Sequence, residues 1–271
     1  LMKRIVAAFQ FLTIIPIHTH RHLSADDVRW SAGFFPLVGF VQGLFLAASA
    51  FFLLRFLSPS VTSVLVIMAY LLTNGAFHQD GLSDTFDALS IRSSGDGAKD
   101  REKRLAIMRD STSGPVGITA AGVFLLLKYA LLKEILAVPA HGLNPVIILL
   151  PMASAWTMTM MMPGAKSARD NGLGMIFLGR IKTGHVIIAC MLMLAFSAAV
   201  YCIGYIGCPY AMRNFVLFFL AAILASLLAG YALRALFTAR FGGLTGDNLG
   251  CIHEIAEALV LLAAAGLLKS P

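Results

Sequence analysis

The sequence predicts an all-α fold, a polytopic bundle of about seven membrane spans preceded by a short interfacial or re-entrant helix at the N-terminus. Of the 271 residues, 58% are hydrophobic and only 13% are charged, whereas a soluble domain carries about a quarter charged residues. The mean hydropathy is +0.81. These features indicate one domain over residues 1–271 that is embedded in a lipid bilayer.

The elements follow from the apolar runs and the breaks between them. Lys3 and Arg4 precede an apolar run that meets Pro16, so this segment predicts a short helix at the membrane surface rather than a cleaved signal. Proline and glycine then separate the longer runs, as at Pro59 and Gly242. The predicted spans are 34–57, 60–79, 114–136, 145–163, 184–207, 214–237 and 249–268.

Basic residues are distributed unequally between the two faces that these spans create. Fourteen of the 21 lysines and arginines are expected at the face that segments 78–113, 164–183 and 238–248 share, against five at the other face. Lys128 and Lys133 are among the few expected toward the other side. The positive-inside rule therefore predicts that the basic face is cytoplasmic. The same bias explains the net charge of +7, so no nucleic-acid partner is expected.

A first acidic cluster lies in the segment from His78 to Asp87. If this segment is helical, Asp80, Asp84 and Asp87 recur at i, i+4 and i+7 and share one face. Carboxylates stacked in this way repel each other, so a compensating cation is expected. Oxygen ligands favour Mg²⁺, Mn²⁺ or Ca²⁺, and Mg²⁺ often shares its shell with substrate phosphates. The alternative is a polar helix start with salt bridges to downstream arginines.

A second cluster follows the glycine-rich loop at Gly242–Gly246. Backbone amides of such a loop and the helix N-terminus behind it attract anions, although glycines also end and start membrane helices. Asp247, Glu254 and Glu257 then lie along one stripe of a span, where ionisable residues usually mark a functional site. His253 is expected to pair with a carboxylate, and a catalytic role for it is the lesser alternative.

Between the clusters, the basic segment 101–109 precedes a span. Its arginines are either membrane-surface charges or a clamp for phosphates, since guanidinium groups bind phosphate oxygens in a bidentate manner. Arg104 and Arg109 are the candidates for that clamp. Carboxylates for a metal and arginines for phosphates are the parts that phosphoryl transfer requires.

These motifs resemble the cobalamin synthase family, the adenosylcobinamide-GDP ribazoletransferases. The HxDGLxDxxD stretch together with GGxTGD is far more specific than either alone, and with the similar hydropathy the resemblance covers nearly the whole chain. The matching segments are Phe9 to Pro16, Phe35 to Gly39 with Gly43, His78 to Asp87, Ile107 to Gly117, and Gly242 to Glu254. Ala88 departs from the family, which usually has glycine there.

The resemblance implies a multi-pass enzyme of the bacterial inner membrane, with its active site facing the cytoplasm. Such an enzyme joins adenosylcobinamide-GDP to α-ribazole, or to α-ribazole 5′-phosphate, and releases GMP. The product is adenosylcobalamin or its 5′-phosphate, and the cofactor is Mg²⁺. The sequence leaves the oligomeric state open.

The resemblance also implies roles for individual residues. Asp80, Asp84 and Asp87 would bind Mg²⁺ with help from Asp247. The residues that would hold phosphates are Arg104, Arg109, Gly243, Thr245 and Gly246. Asp87 or Glu254 would accept the proton of the attacking hydroxyl, and His78 would contact a phosphate or support the site.

Two rival functions fit parts of the pattern. A CDP-alcohol phosphotransferase of phospholipid synthesis also carries carboxylates on a membrane helix, but it normally reads DGxxAR where this chain has Asp80 to Asp84 without an arginine. An ion-coupled transporter also has intramembrane carboxylates. Transporters, however, bind near the bilayer midplane and often contain repeats, whereas these carboxylates gather at one face and no repeat is visible.

Overall fold

A computed structural model describes residues 1–17, 22–110, 112–138, 141–170, 172, 174–207 and 214–268. These residues form helices joined by loops, as the sequence predicts. The helices are α1 (Met2–Leu12), α2 (Ala25–Ser31), α3 (Phe35–Leu53), α4 (Pro59–Asn74), α5 (Phe77–Leu89), α6 (Gly97–Ile107), α7 (Pro115–Ala137), α8 (Pro145–Met161), α9 (Gly174–Phe177), α10 (Thr183–Gly207), α11 (Phe215–Phe241) and α12 (Gly246–Leu267). A 3-10 turn, Ala32–Phe34, joins α2 to α3.

Each of the seven predicted spans has a helical counterpart. Among the described residues, five helical stretches are long and apolar enough to cross a membrane. They are Ala25–Leu53, Pro115–Ala137, Thr183–Tyr205, Phe215–Phe241 and Gly246–Leu267. The span predicted at 145–163 is the shorter apolar helix α8. The chain is therefore a multi-pass membrane protein, and the predicted N-terminal helix is α1.

The span predicted at 60–79 is bent rather than straight. The chain turns by 89° between α4 and α5, because Gly75 and Ala76 both adopt the left-handed backbone region, with φ of 65° and 55°. Glycine does so readily, but alanine is strained there. The acidic segment is thus a separate helix and not a continuation of the preceding span. Its predicted i, i+4, i+7 spacing survives because α5 contains all three aspartates.

The core forms around α8, all of whose residues are buried. Helix α3 approaches it closely through Gly39 and Gly43, where an added Cβ would lie 2.3 Å from the carbonyl oxygens of Pro151 and Ile148. Small residues permit such close packing of membrane helices. By contrast, α7, α10 and α11 expose large apolar side chains such as Leu126 and Leu194, as a lipid-facing surface requires.

Candidate active site

Helix α12 positions the site, since it packs against α5, α7, α8 and α11. Its first turn meets α5 at Gly81, where an added Cβ would lie 2.7 Å from the carbonyl oxygen of Asp247. A glycine at this position therefore lets the two acidic motifs touch. Beside this contact lies a cavity of about 420 Å³, whose polar lining includes His78, Asp80, Arg169, Thr245 and Asp247.

The structure brings Asp80 and Asp247 to the same cavity, although they come from opposite ends of the sequence. Asp80 is exposed, and the Asp247 side chain is 27% exposed. Asp84 is half-buried, close enough to interact electrostatically with both. Asp80 and Asp247 thus share the cavity as predicted, and Asp84 lies beside them without lining it.

Asp87 occupies a different position on α5. Its two carboxylate oxygens accept the backbone N–H groups of Gly114 and Gly117 at 2.7 and 2.8 Å. These donors lie at the N-terminus of α7, so Asp87 satisfies amides that the helix itself cannot. Among the described residues, it does not line the cavity. Its assignment as a metal ligand or base stays a prediction.

The glycine-rich loop is held against the segment that follows α8. Leu244 donates its N–H to Lys166 at 2.8 Å, and Ala168 donates to Leu244 at 2.9 Å. Gly243 permits this approach, since a Cβ there would lie 2.5 Å from the Lys166 carbonyl oxygen. Thr245 then caps α12 through a reciprocal pair with Asn248. Thr245 and Gly246 line the cavity, whereas Gly243 supports the loop from behind.

Arg169 is a cavity residue that sequence reasoning missed. Its guanidinium lies 3.1 Å from Asp247 Oδ2 and donates to the Met108 carbonyl at 3.1 Å. The side-chain Nε is buried without a partner among the described residues. Arg169 was counted only as one of the basic residues that set the topology, so its proximity to the Gly242–Asp247 motif was not predictable from that count.

The two arginines predicted to hold phosphates lie outside the cavity lining. Arg104 is buried and directs its guanidinium toward the carbonyl oxygens of Arg240 and Ile91, at 3.4 and 3.5 Å. Arg109 is exposed. Hydrogen bonds from Ser93 and Ser94 to Asp100 help to hold α6 in place and lower the pKa of that carboxyl to about 2. Phosphate binding by the two arginines stays a prediction.

Glu254 and His78, the remaining predicted catalytic residues, lie at different depths. The Glu254 side chain is 1% exposed and accepts a hydrogen bond from Lys128 at 2.5 Å. Lys128, expected toward the opposite face, is in fact buried inside the bundle. His78 lines the cavity. His253 Nδ1 lies 3.4 Å from Glu257 Oε1, but neither atom has a hydrogen-bond partner among the described residues, so the expected pairing with a carboxylate stays a prediction.

The carboxylates at and beside the cavity fit a hard divalent cation. Asp80, Asp84 and Asp247 offer carboxylate oxygens, which are the ligands that Mg²⁺ prefers. Arg169 is their close cationic neighbour in the part of the chain that the structure describes. Three negative charges against one positive charge leave an excess that a bound cation would offset. The open cavity beside them has room for a substrate that shares the cation.

Comparison with known proteins identifies the family. The family model for cobalamin-5-phosphate synthase matches residues 4–265. An adenosylcobinamide-GDP ribazoletransferase of Thermodesulfovibrio yellowstonii is 33% identical over 97% of this chain and 95% of its own length. Proteins of the same name from Geotalea daltonii (32% identical; 98% of each chain) and Clostridioides difficile (31%; 96% of each) are also similar. No solved structure matches. The chain belongs to the cobalamin-5-phosphate synthase family.

Proposed function

We propose that this chain transfers the phosphocobinamide group of adenosylcobinamide-GDP to α-ribazole, or to its 5′-phosphate, with Mg²⁺ as cofactor. The observation that carries the proposal is the meeting of Asp80 and Asp247 at one cavity beside Arg169. The relatives named for this reaction align with the chain over almost its whole length. The products are GMP and adenosylcobalamin, or its 5′-phosphate.

Asp80, Asp84 and Asp247 are the residues that would hold Mg²⁺. When bound, the ion neutralises charge that develops on the diphosphate as GMP departs. Arg169 lies next to Asp247 and is better placed than Arg104 to bind the diphosphate. The first turn of α12, at Gly246, adds backbone amides whose partial positive charge favours a phosphate.

The transfer forms one bond and breaks one. A ribose hydroxyl oxygen of α-ribazole bonds to the phosphorus that carries the cobinamide arm, and the bond from that phosphorus to the GMP oxygen breaks. The hydroxyl proton passes to a carboxylate of the cavity. His78 lines the same cavity, and we assign it to contact with a phosphate oxygen. This assignment agrees with the role that the sequence predicts.

We further propose that the protein lies in the inner membrane of a bacterial cell and that its cavity opens to the cytoplasm. The basic helix α6 and the basic segment around Lys166 lie beside the Gly242–Gly246 loop. An added Cβ at Gly242 would lie 2.7 Å from the Arg101 guanidinium, and Lys166 accepts the Leu244 N–H. These contacts support a cavity that opens at the face where basic residues concentrate, which the positive-inside rule assigns to the cytoplasm.

The proposal is tested with purified protein in liposomes supplied with adenosylcobinamide-GDP, α-ribazole and MgCl₂. GMP release and formation of the corrinoid product are followed by chromatography. We expect product that disappears with EDTA, and a loss of about 10³-fold in kcat for Asp84→Ala. The matched control is Glu102→Ala, an exposed acidic residue of α6, which should retain full activity.

Two results would contradict the proposal. Product formation that persists in EDTA would show that the reaction does not require Mg²⁺. Folded protein that forms no corrinoid product, yet releases CMP from a CDP-alcohol and an acceptor alcohol, would establish the phospholipid-synthesis activity instead.

A further inference from the structure

The ring of His78 rests on a second histidine that lies behind it. His78 of α5 lines the cavity, and its ring stacks on that of His253 in α12, with centroids 3.9 Å apart and planes 23° from parallel. His253 is buried and does not line the cavity. The position of the His78 ring at the cavity wall therefore depends on the orientation of a residue that substrate does not touch.

The two ring nitrogens of His253 have different surroundings. Its Nε2 lies 3.0 Å from Ser154 Oγ in α8, within hydrogen-bond distance. Its Nδ1 lies 3.4 Å from Glu257 Oε1, although neither of these two atoms has a hydrogen-bond partner among the described residues. The tautomer with its proton on Nδ1 suits the neighbouring carboxylate, and in that tautomer Nε2 accepts the Ser154 hydroxyl proton. The ring thus lies between Ser154 of α8 and the next turn of its own helix.

Glu257 is held in turn by Lys128 of α7, which also donates to Glu254 at 2.5 Å. All three side chains are almost inaccessible to solvent. Ionised groups buried at membrane depth are costly, and they usually mark function. Burial of such a cluster costs more free energy than apolar packing between the same helices would, which indicates a role beyond packing.

A metal ion is the other occupant that the cluster could hold, because ligand atoms of His253, Glu254 and Glu257 lie within 4.8 Å of one another. The Lys128 ammonium, however, already contacts both carboxylates. It supplies one positive charge against the two carboxylates and occupies the space between them. The ammonium thus takes the position that an ion bound to these carboxylates would need.

We propose that Lys128, Glu254, Glu257, Ser154 and His253 form a positioning network that holds the His78 ring at the cavity wall. The network touches no substrate and acts through the stacked pair of rings. The inference rests on the proposed function, in which His78 contacts a phosphate. Disruption of the network should reduce turnover more than substrate binding, because a misplaced ring loses contacts made in the transition state.

The test replaces the charged members together, as Lys128→Met/Glu254→Gln/Glu257→Gln, so that no unpaired charge remains buried. Replacing a buried charge cluster by neutral groups of similar size often preserves stability. The matched control is Lys133→Met/Glu134→Gln, an exposed charged pair on the same helix. Each variant is purified in detergent with ¹³C-labelled histidine. The His78 resonance is assigned by its absence in His78→Gln and is recorded without substrate.

We expect the His78 resonance of the triple variant to move toward that of free histidine as the ring stack loosens, while the control leaves it unchanged. Turnover should fall about 10-fold with KM within about 2-fold, the usual scale for residues that act through another side chain. If the triple variant does not fold, Ser154→Ala removes one support of His253, and the same resonance should move.

Unchanged His78 resonance and unchanged kcat in a folded triple variant, or in Ser154→Ala, would overturn the positioning role. The resonance does not depend on substrate, so this outcome is distinct from a failure of the proposed function. That failure would appear as a wild-type protein with a normal His78 resonance and no corrinoid product.

Discussion

Helix α12 carries two groups of carboxylates that the protein treats in opposite ways. Asp247 in its first turn meets Asp80 at an open cavity, with Asp84 close to both, and negative charge exceeds positive charge there. Glu254 and Glu257, two to three turns further on, are sealed inside the bundle against Lys128. The difference is one of access to ions. The buried group has a lysine of the chain in contact with both of its carboxylates, one positive charge against two negative, and it is closed to solvent. The group at the cavity is open to a cation and a substrate from solution.

The comparison predicts its largest effect for Asp247→Asn. Removing this carboxylate should lower kcat by about 10³-fold, because a ligand for the catalytic ion is lost. The melting temperature should stay constant or rise, since the relieved repulsion with Asp80 and Asp84 offsets the lost ion pair with Arg169. GMP release and thermal unfolding in detergent measure the two quantities. A large loss of stability would show that Asp247 has a structural role, like the buried Glu254 and Glu257.

Lys128→Met should have the opposite profile. It leaves Glu254 and Glu257 buried without their cation, and breaking a buried pair in this way typically costs about 3–5 kcal/mol. We expect a marked fall in the melting temperature of the detergent-solubilised protein. Lys133→Met, on the exposed side of the same helix, is the control and should melt like wild type. Equal melting temperatures of the two variants would show that Lys128 does not stabilise the buried glutamates.

Arg169→Ala tests whether the arginine beside the cavity carboxylates binds the diphosphate. We expect turnover to fall about 100-fold, because the planar guanidinium is lost from both Asp247 and the diphosphate. Arg180→Ala is the matched control, an exposed arginine further along the same connection. Full activity of Arg169→Ala would leave Arg104 and Arg109 as the candidates that bind the diphosphate.

The smallest effect concerns Asp100, which lies outside both groups. Hydrogen bonds from Ser93 and Ser94 lower its pKa in the folded protein to about 2, below the ordinary value of 3.8. The folded state therefore favours the ionised carboxyl, and this contribution is present above pH 4 and is lost as the pH falls toward 2. The stability difference between wild type and Asp100→Asn should shrink over that window in thermal melts. A constant difference would contradict the lowered pKa.

Much of this organisation could be predicted from the sequence. Hydropathy locates the helices, and the i, i+4, i+7 spacing correctly places Asp80, Asp84 and Asp87 on one helix. The 89° bend before α5 was missed, because a helix pattern is continuous across Gly75 and Ala76 and does not reveal a left-handed pair. The bend directs the acidic helix away from the line of α4.

Long-range pairing accounts for the rest of what sequence reasoning missed. Glu254 and Asp247 share a stripe by periodicity, but only the fold places Lys128 beside one and Arg169 beside the other. A lone lysine in an apolar helix was interpreted as a charge near the opposite face. Similarly, Asp87 resembles its neighbours in the motif, yet its carboxylate caps α7 through Gly114 and Gly117. These partners lie in another segment and leave no local signal.

The central claim is that carboxylates of the two motifs hold one divalent cation. Electron paramagnetic resonance of Mn²⁺, used in place of Mg²⁺, measures that binding directly in the purified wild-type protein. We expect a bound ion that Mg²⁺ displaces and that is lost in both Asp80→Asn and Asp247→Asn but kept in Glu257→Gln. Binding that survives Asp247→Asn, or that is lost only in Glu257→Gln, would show that the metal is instead held by the buried glutamates.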